Sequence, residues 1–342
     1  MSKNMINKKI AVILPFEARD VLCDTVIDGL LNLYEQDKSL EIRFPSWYIY
    51  PTDLNIKPFL IDENDFIDFA NDADLIILIF GKRGTNIALA EKINHFNKTV
   101  FIDGSEIGKN RRYDAELQSQ ILKGTFQGNG RIVEDMLNKC SKYFRREKPY
   151  INGIVPLPFG IERRYINYND SIKKDIDIVC IFGQTEYPPM RKYATELVQD
   201  FSRKNNLICK TEITNGFGFD NAKNRGREEF YNILARSKVG ISIGGGGFDT
   251  ARFWEILSNN CILLTESIDI LYSDDNSLDF ERIIEFRNIY DLEYELKKLL
   301  PILKDSSYKN MFDTGEYREI LNKHGSMARV SRILESINDK LN

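Results

Sequence analysis

The stretch from residue 231 to residue 266 constrains the fold more strongly than any other part of the chain. It reads YNILARSKVGISIGGGGFDTARFWEILSNNCILLTE. The sequence predicts, in order, a helix, a strand at residues 239–243, a loop of four glycines, a second helix and a strand at residues 261–265. Strands that alternate with helices in this way are typical of an α/β domain with a parallel sheet.

The glycine loop and the helix after it form a candidate anion site. Glycines let a backbone approach a bound group closely, and the start of a helix offers free N–H groups and the positive end of its dipole. Asp249 or Thr250 can cap this helix. Arg252 and Glu255, three residues apart, share one helical face, where Glu255 can accept hydrogen bonds from sugar hydroxyls. The alternative is a plain turn with a surface Arg252–Glu255 ion pair.

The string GGGFDTARFWEILSNNCILL resembles the donor-site motif of GT-B glycosyltransferases, and most of all that of the exostosin-like and spore-maturation-type groups. The resemblance implies that Glu255 binds the ribose of a nucleotide-sugar. It also implies that the loop and an arginine face the diphosphate, through Gly245, Gly246, Asp249, Thr250 and Arg252.

The chain departs from this family pattern at three positions. Ala251 stands where some members carry His, and Asn260 stands where Gly usually ends the helix. Asn is the next best residue for a left-handed helix C-cap, so the second change is mild. Retaining members carry a second Glu eight residues before the ribose-binding one. Gly247 occupies that position here, which favours an inverting reaction.

A proline- and glycine-rich linker at residues 149–165 separates two strand–helix patterns. The segment KYFRREKPYINGIVPLPFGIE is also similar to the interdomain crossing of the same glycosyltransferases. The resemblance implies two Rossmann-like domains with a cleft between them and a last helix that returns to the first domain. We therefore expect an acceptor domain at residues 1–155, a donor domain at 156–320 and the returning helix at 321–342.

Other basic and polar residues near the predicted cleft have two interpretations. The resemblance implies that Gly183, Gln184 and Arg191 approach the donor phosphates, whereas Arg191 alone could be an exposed first-turn helix residue. Arg145 and Arg146 either face the cleft from the hinge or form a solvated basic turn.

Four carboxylates are candidates for the catalytic base. Glu17 and Asp20 follow the first predicted strand, and Asp103 and Glu106 follow another. Ligands of open α/β sheets bind at the carboxyl ends of the strands, where a carboxylate could deprotonate an acceptor hydroxyl. The alternative for each is a solvated loop residue or, for Asp20, a helix N-cap.

Composition excludes several classes of function. The net charge of -4 gives no electrostatic basis for binding nucleic acid. No apolar run approaches the about 18 residues of a membrane span. Five scattered cysteines indicate a reduced, cytoplasmic setting. The two histidines are far apart, so a zinc site is not expected. Two Asp-x-Asp strings, at residues 72–74 and 175–177, precede strands, and we interpret them as structural rather than metal-binding.

These observations predict a metal-independent, cofactor-free glycosyltransferase. It would move a sugar from a nucleotide-sugar to a glycan, lipid-linked or protein acceptor, and peripheral contact with a membrane is compatible with this role. Two alternatives remain open: a sugar-nucleotide epimerase on the same fold, and a non-catalytic subunit that binds a nucleotide-sugar.

Overall fold

The structure is a computed structural model that describes residues 8–15, 21–47, 55–80, 85–105, 132–148, 152–182, 189–212, 224–268, 270–271, 274–305 and 314–338. The chain divides into two compact units. Unit 1 comprises Met1–Glu162, Asp269–Tyr272 and Ser326–Asn342, and unit 2 comprises Arg163–Ile268 and Ser273–Gly325.

The strands, in chain order, are β1 Lys9–Ile13, β2 Glu41–Pro45, β3 Leu60–Ile61, β4 Leu75–Phe80, β5 Thr99–Asp103, β6 Lys142–Arg145, β7 Ile154–Pro156, β8 Ile176–Val179, β9 Cys209–Lys210, β10 Ser237–Ser242, β11 Ile262–Glu266 and β12 Ile283–Phe286. The helices are α1 Val21–Gln36, α2 Glu63–Asp72, α3 Thr85–Ile93, α4 Glu134–Lys139, α5 Pro189–Asn205, α6 Asn224–Ala235, α7 Ala251–Leu257, α8 Ile289–Lys298, α9 Leu300–Lys304, α10 Thr314–His324 and α11 Ser326–Asn338. None of the helices in these described ranges is both long and apolar enough to cross a membrane.

Unit 1 is built on a parallel sheet with the strand order β3-β2-β1-β4-β5-β6-β7. This is the order of a Rossmann domain, in which the sheet reverses its winding between the first and fourth strands. The strand interiors are apolar runs, such as the buried KIAVI of β1 and TVFID of β5, as expected for a sheet that is covered on both faces.

Unit 2 contains a second parallel sheet, with the order β12-β11-β10-β8-β9. Numbered within this unit, the described strands follow the flavodoxin-like order 2-1-3-4-5. Its core joins β8, β10 and β11 to the inner faces of α5 and α8. The predicted parallel α/β architecture is therefore confirmed in both units.

The last helix, α11, packs on α1 within unit 1. A Cβ atom at Gly29 of α1 would lie 2.4 Å from the Ser326 carbonyl oxygen, so only glycine permits this close approach. The Ser326 hydroxyl donates to the Asp28 carboxylate, and Arg329 Nε donates to the Phe159 carbonyl oxygen at 3.1 Å. The predicted return of the last helix to the first domain is thus observed.

Candidate functional site

The glycine loop, residues 243–250, follows β10 at the point where the sheet of unit 2 reverses its winding. Strands β8 and β10 are neighbours there, and the chain continues outward from them to opposite edges of the sheet. Open α/β sheets bind ligands beyond the carboxyl ends of two such strands. Gly246 lies half-buried in this loop. Gly183 and Gln184, which follow β8, lie outside the described residues.

Arg191, on α5, packs against the glycine loop. Its Nη2 atom donates to the Ile243 carbonyl oxygen at 3.1 Å, and its guanidinium lies 5.1 Å from the centre of the Phe182 ring. A Cβ atom at Gly245 would be 2.7 Å from Nη2, so any other residue there would displace the arginine. Arg191 is therefore half-buried against the loop and is not an exposed helix residue.

The electrostatics of Arg191 show that a second cation is close by. Burial, followed by the positive charge of Arg252, lowers the pKa of Arg191 to about 10. The carboxylate of Glu266, the last residue of β11, acts in the opposite direction. Arg191, which contacts the glycine loop, is therefore within electrostatic range of Arg252, on the helix that follows the loop, and a bound anion would relieve their mutual repulsion.

Arg252 and Glu255 form a buried ion pair on α7. Arg252 Nη1 donates to Glu255 Oε2 at 2.8 Å, and the two side chains are only 10% and 9% exposed. The Phe230 ring lies 3.8 Å from the Arg252 guanidinium, and the Tyr231 hydroxyl donates to Glu255 Oε1 at 3.3 Å. The pair that the sequence suggested does form, but it is not on the surface.

The start of α7 differs from the expectation. Thr250 occupies the N-cap position, but its side chain makes no capping hydrogen bond; its hydroxyl oxygen lies 3.3 Å from that of Ser242. Asp249 instead accepts a hydrogen bond from the Trp254 indole at 2.8 Å, because a buried indole N–H needs an acceptor. The prediction of a side-chain cap is therefore wrong. Since α7 has only seven residues, the charged side chains contribute more to the site than its dipole.

The end of α7 agrees with the expectation. Asn260 has a φ of 57°, the left-handed conformation predicted for it as a substitute for glycine. Its side-chain oxygen accepts a hydrogen bond from Arg282 Nη1. Asn259 donates to the carbonyl oxygens of Glu255 at 2.9 Å and of Tyr165 at 2.7 Å. These bonds fix the turn of the helix that carries Glu255.

Asp103, one candidate base, ends β5 and is completely buried. Its Oδ2 accepts from the Tyr143 hydroxyl at 2.7 Å, and its Oδ1 accepts from the Ser105 amide at 2.9 Å. The other three candidates, Glu17, Asp20 and Glu106, lie outside the described residues. The assignment of the base therefore stays a prediction.

Both Asp-x-Asp strings make contacts within the fold, and the prediction that they bind no metal stays a prediction. Asp72 ends α2, and Asp74 accepts from the Lys9 amide at 2.8 Å just before β4. Asp175 pairs with Arg236, and Asp177 lies 2.8 Å from the Lys238 amine. Within the described ranges, no three His, Cys, Asp or Glu side chains converge in a way that could hold a metal ion.

The sequence did not identify three residues that shape the site: Phe182, Tyr231 and Glu266. The two aromatic residues act through contacts with side chains on another element, Phe182 with Arg191 and Tyr231 with Glu255, which spacing along the chain does not reveal. Glu266 could have been found, because it ends the strand beside β10 and therefore lies at the carboxyl edge of the sheet.

No protein-family model matches the sequence, and no curated protein matches it. Several solved structures do share its fold. An alpha-glucosyltransferase in complex with UDP and a 13-mer DNA is similar over 96% of this chain and 99% of its own, with 11% identity and a TM-score of 0.54. A glycosyltransferase from Rickettsia africae ESF-5 is similar over 98% and 99%, with 11% identity and a TM-score of 0.59.

A putative UDP-N-acetylglucosamine 2-epimerase from Listeria monocytogenes is also similar, over 98% of this chain and 97% of its own, with 11% identity and a TM-score of 0.52. At this level of identity the likeness concerns the fold. The fold comprises two doubly wound parallel α/β units and a last helix that packs on the first. The chain therefore has the two-domain GT-B fold of these glycosyltransferases.

Proposed function

We propose that this protein is a glycosyltransferase that moves a sugar from a nucleotide-sugar to an acceptor hydroxyl or amine. The observation that carries the proposal is the position of Arg191 against the glycine loop, beyond the switch point of the sheet, together with the buried Arg252–Glu255 pair on the helix that follows the loop. A diphosphate supplies the negative charge that two adjacent guanidinium groups favour. In the transfer step the same groups would stabilise the charge that develops on the leaving diphosphate.

Glu255 completes the donor site in this proposal. Its Oε2 already accepts from Arg252 and its Oε1 from Tyr231. A carboxylate oxygen has two lone pairs, so each oxygen can accept a further hydrogen bond from a ribose hydroxyl. The existing bonds hold the carboxylate in position before the nucleotide binds, and this lowers the entropic cost of binding.

The finer parts of the proposal rest on the residues that resemble the exostosin-like and spore-maturation-type groups. Unit 1 would hold the acceptor and supply the base, and the absence of a carboxylate at Gly247 favours inversion. Gly183 and Gln184 would contact the donor phosphates. We propose a cytoplasmic enzyme of glycan biosynthesis that acts on a glycan, lipid-linked or protein acceptor. The similar alpha-glucosyltransferase was solved with DNA, but the net charge of -4 favours a different acceptor here.

A panel of nucleotides tests the donor site directly. We expect one nucleoside diphosphate to raise the thermal unfolding midpoint, because a ligand at 100 times its Kd stabilises a fold by about 2.7 kcal/mol. The matching nucleoside, which lacks phosphates, is the control and should give no shift. If neither nucleoside diphosphates nor nucleotide-sugars bind at millimolar concentration, the proposal is wrong.

The alternative of an epimerase is supported by the similarity to the Listeria monocytogenes protein. The two functions separate when the preferred nucleotide-sugar is incubated without any acceptor. An epimerase converts it to an isomeric nucleotide-sugar, whereas a glycosyltransferase leaves it intact apart from slow hydrolysis. A protein that binds the nucleotide-sugar but does neither, over a broad acceptor panel, would be a non-catalytic subunit.

Chelation tests the predicted independence from metal. We expect EDTA to leave the transfer rate largely unchanged, because two arginines and the loop supply the positive charge that a divalent ion supplies elsewhere. The measurement is the initial rate with EDTA, with and without later addition of manganese. Complete loss of activity that manganese restores would contradict the prediction.

A further inference from the structure

Arg145 is a buried cation at the carboxyl edge of the sheet in unit 1. It ends β6, in register with Asp103 at the end of β5. Its side chain is 2% exposed, and its Nη1 atom lies 3.9 Å from Asp103 Oδ2. The sequence left open whether this arginine belongs to a solvated basic turn. Its burial excludes that interpretation.

One edge of the Arg145 guanidinium is not used by the residues that the structure describes. Within the described residues, Nε and Nη2 are both buried and have no hydrogen-bond acceptor. Buried donors are nearly always satisfied, because a buried donor without an acceptor pays the cost of desolvation without any return, and this cost is larger for a charged group. Nε and Nη2 present parallel N–H groups, the edge that binds two oxygens of a carboxylate or phosphate side by side.

The same chain shows what this edge binds when an acceptor is present. In unit 2, Nε and Nη2 of Arg236 each donate at 2.8 Å to one oxygen of the Asp175 carboxylate. Among the described residues Arg145 has no such partner. Asp103 lies nearest its other edge, 3.9 Å from Nη1, and accepts hydrogen bonds from Tyr143 and Ser105. The free edge of Arg145 is thus suited to a group with two anionic oxygens.

We propose that the Nε–Nη2 edge of Arg145 binds an anionic group, a phosphate or a carboxylate, carried by the acceptor substrate. The assignment of the anion to the acceptor rests on the proposed function, since ligands bind beyond the carboxyl ends of the strands and unit 1 is the proposed acceptor domain. The anion site itself rests on the geometry of Arg145 alone. The acceptor is accordingly an acidic molecule, for example a phosphorylated carrier or an acidic sugar chain.

Anion titrations test this site without knowledge of the acceptor. The thermal unfolding midpoint of the whole chain is followed against inorganic phosphate and against acetate, with sodium chloride at matched ionic strength. Because the glycine loop would also bind phosphate, the titrations are repeated in an Arg252→Lys background. We expect the shift of the unfolding midpoint that depends on Arg145 to persist in the Arg252→Lys background and in the Arg236→Lys variant. In Arg145→Lys, which keeps the charge but loses the two-pronged edge, we expect the apparent affinity to fall about ten- to a hundredfold.

A second variant covers the case in which Arg145→Lys does not fold. Asp103→Asn keeps the arginine and removes the neighbouring negative charge, so it should bind phosphate more tightly than the wild type. Unchanged or weaker binding in that variant would overturn the proposal. So would an equal response in Arg145→Lys, or no anion effect beyond chloride in the wild type. A stronger response to phosphate than to acetate, or the reverse, identifies the anionic group.

Failure of the Arg145 anion site can be distinguished from failure of the donor site that the nucleotide panel tests. Arg145→Lys should bind the nucleoside diphosphate as the wild type does, because the glycine loop lies in unit 2. A wild type that binds phosphate at Arg145 but no nucleotide would retain the anion site and lose the proposed function. If the wild type binds nucleotide but shows no anion-dependent shift that requires Arg145, the proposed function stands and the anion site is wrong.

Discussion

Loss of the catalytic carboxylate should lower turnover by about 100- to 10,000-fold, the usual effect of removing a general base. We expect this result for alanine at Asp20 or Glu17. Both residues follow β1, which adjoins β4 where the sheet of unit 1 reverses its winding. Ligands of such sheets bind at that position, so a carboxylate there is well placed to deprotonate an acceptor hydroxyl.

The buried carboxylate of Asp103 should behave differently. Its oxygens accept from Tyr143 and Ser105, so its replacement removes hydrogen bonds to a charged group, each of which contributes about 1.5–3 kcal/mol. We therefore expect Asp103→Ala to lower the unfolding midpoint more than alanine at Asp20 or Glu17 does. The measurements are kcat, nucleotide affinity and thermal unfolding for alanine variants of these three and of Glu106. Near-normal turnover in all four would contradict the assignment.

Conservative replacement of Arg252 or Glu255, the ion pair of the proposed nucleotide-sugar site, should weaken nucleotide binding about ten- to a hundredfold. This is the effect of losing one hydrogen bond to a charged group. The variants are Arg252→Lys and Glu255→Gln. Alanine is less informative, because the pair is 9–10% exposed and removal of one partner leaves the other charge buried, at a cost of about 3–5 kcal/mol when burial is complete. Calorimetric titration with the preferred nucleotide measures the effect.

Two controls separate binding from stability. The exposed pair Arg236–Asp175 is a matched ion pair outside the site, with side chains 50% and 42% exposed. Its alanine variants should keep full nucleotide affinity and lose at most about 1 kcal/mol of stability. The double variant Arg252→Met with Glu255→Leu removes both buried charges, so it should recover stability without recovering affinity. Unchanged affinity in both single variants would reduce the pair to a structural contact.

Local patterns sufficed to predict much of unit 2. The apolar run predicted as a strand at residues 239–243 corresponds to β10 at Ser237–Ser242, and the run predicted at residues 261–265 corresponds to β11 at Ile262–Glu266. The left-handed Asn260 was also predictable. In each case, neighbouring residues alone determine the conformation.

The chemistry of the candidate site depended on contacts that the sequence does not display. The burial of Arg252 comes from Phe230, on the preceding helix. Arg191, on α5, donates to the carbonyl oxygen of Ile243 in the glycine loop, 52 residues later in the chain. Asp249 was expected to cap a helix, but it accepts a hydrogen bond from the buried indole of Trp254, five residues later. Spacing predicts which residues share an element, whereas tertiary packing decides which of them are buried together.

The packing of α11 on α1 has a consequence for the synthesis of this protein. Asp28 and Ser326, which contact each other, are 298 residues apart. At roughly 5–20 residues per second, a ribosome needs about 15–60 s to make that interval. During this time α1 is without the helix that packs on it, including the buried Val330 beside Gly29. Unit 1 is therefore begun before unit 2 and completed after it, and its surface at α1 stays unfinished until α11 has been made.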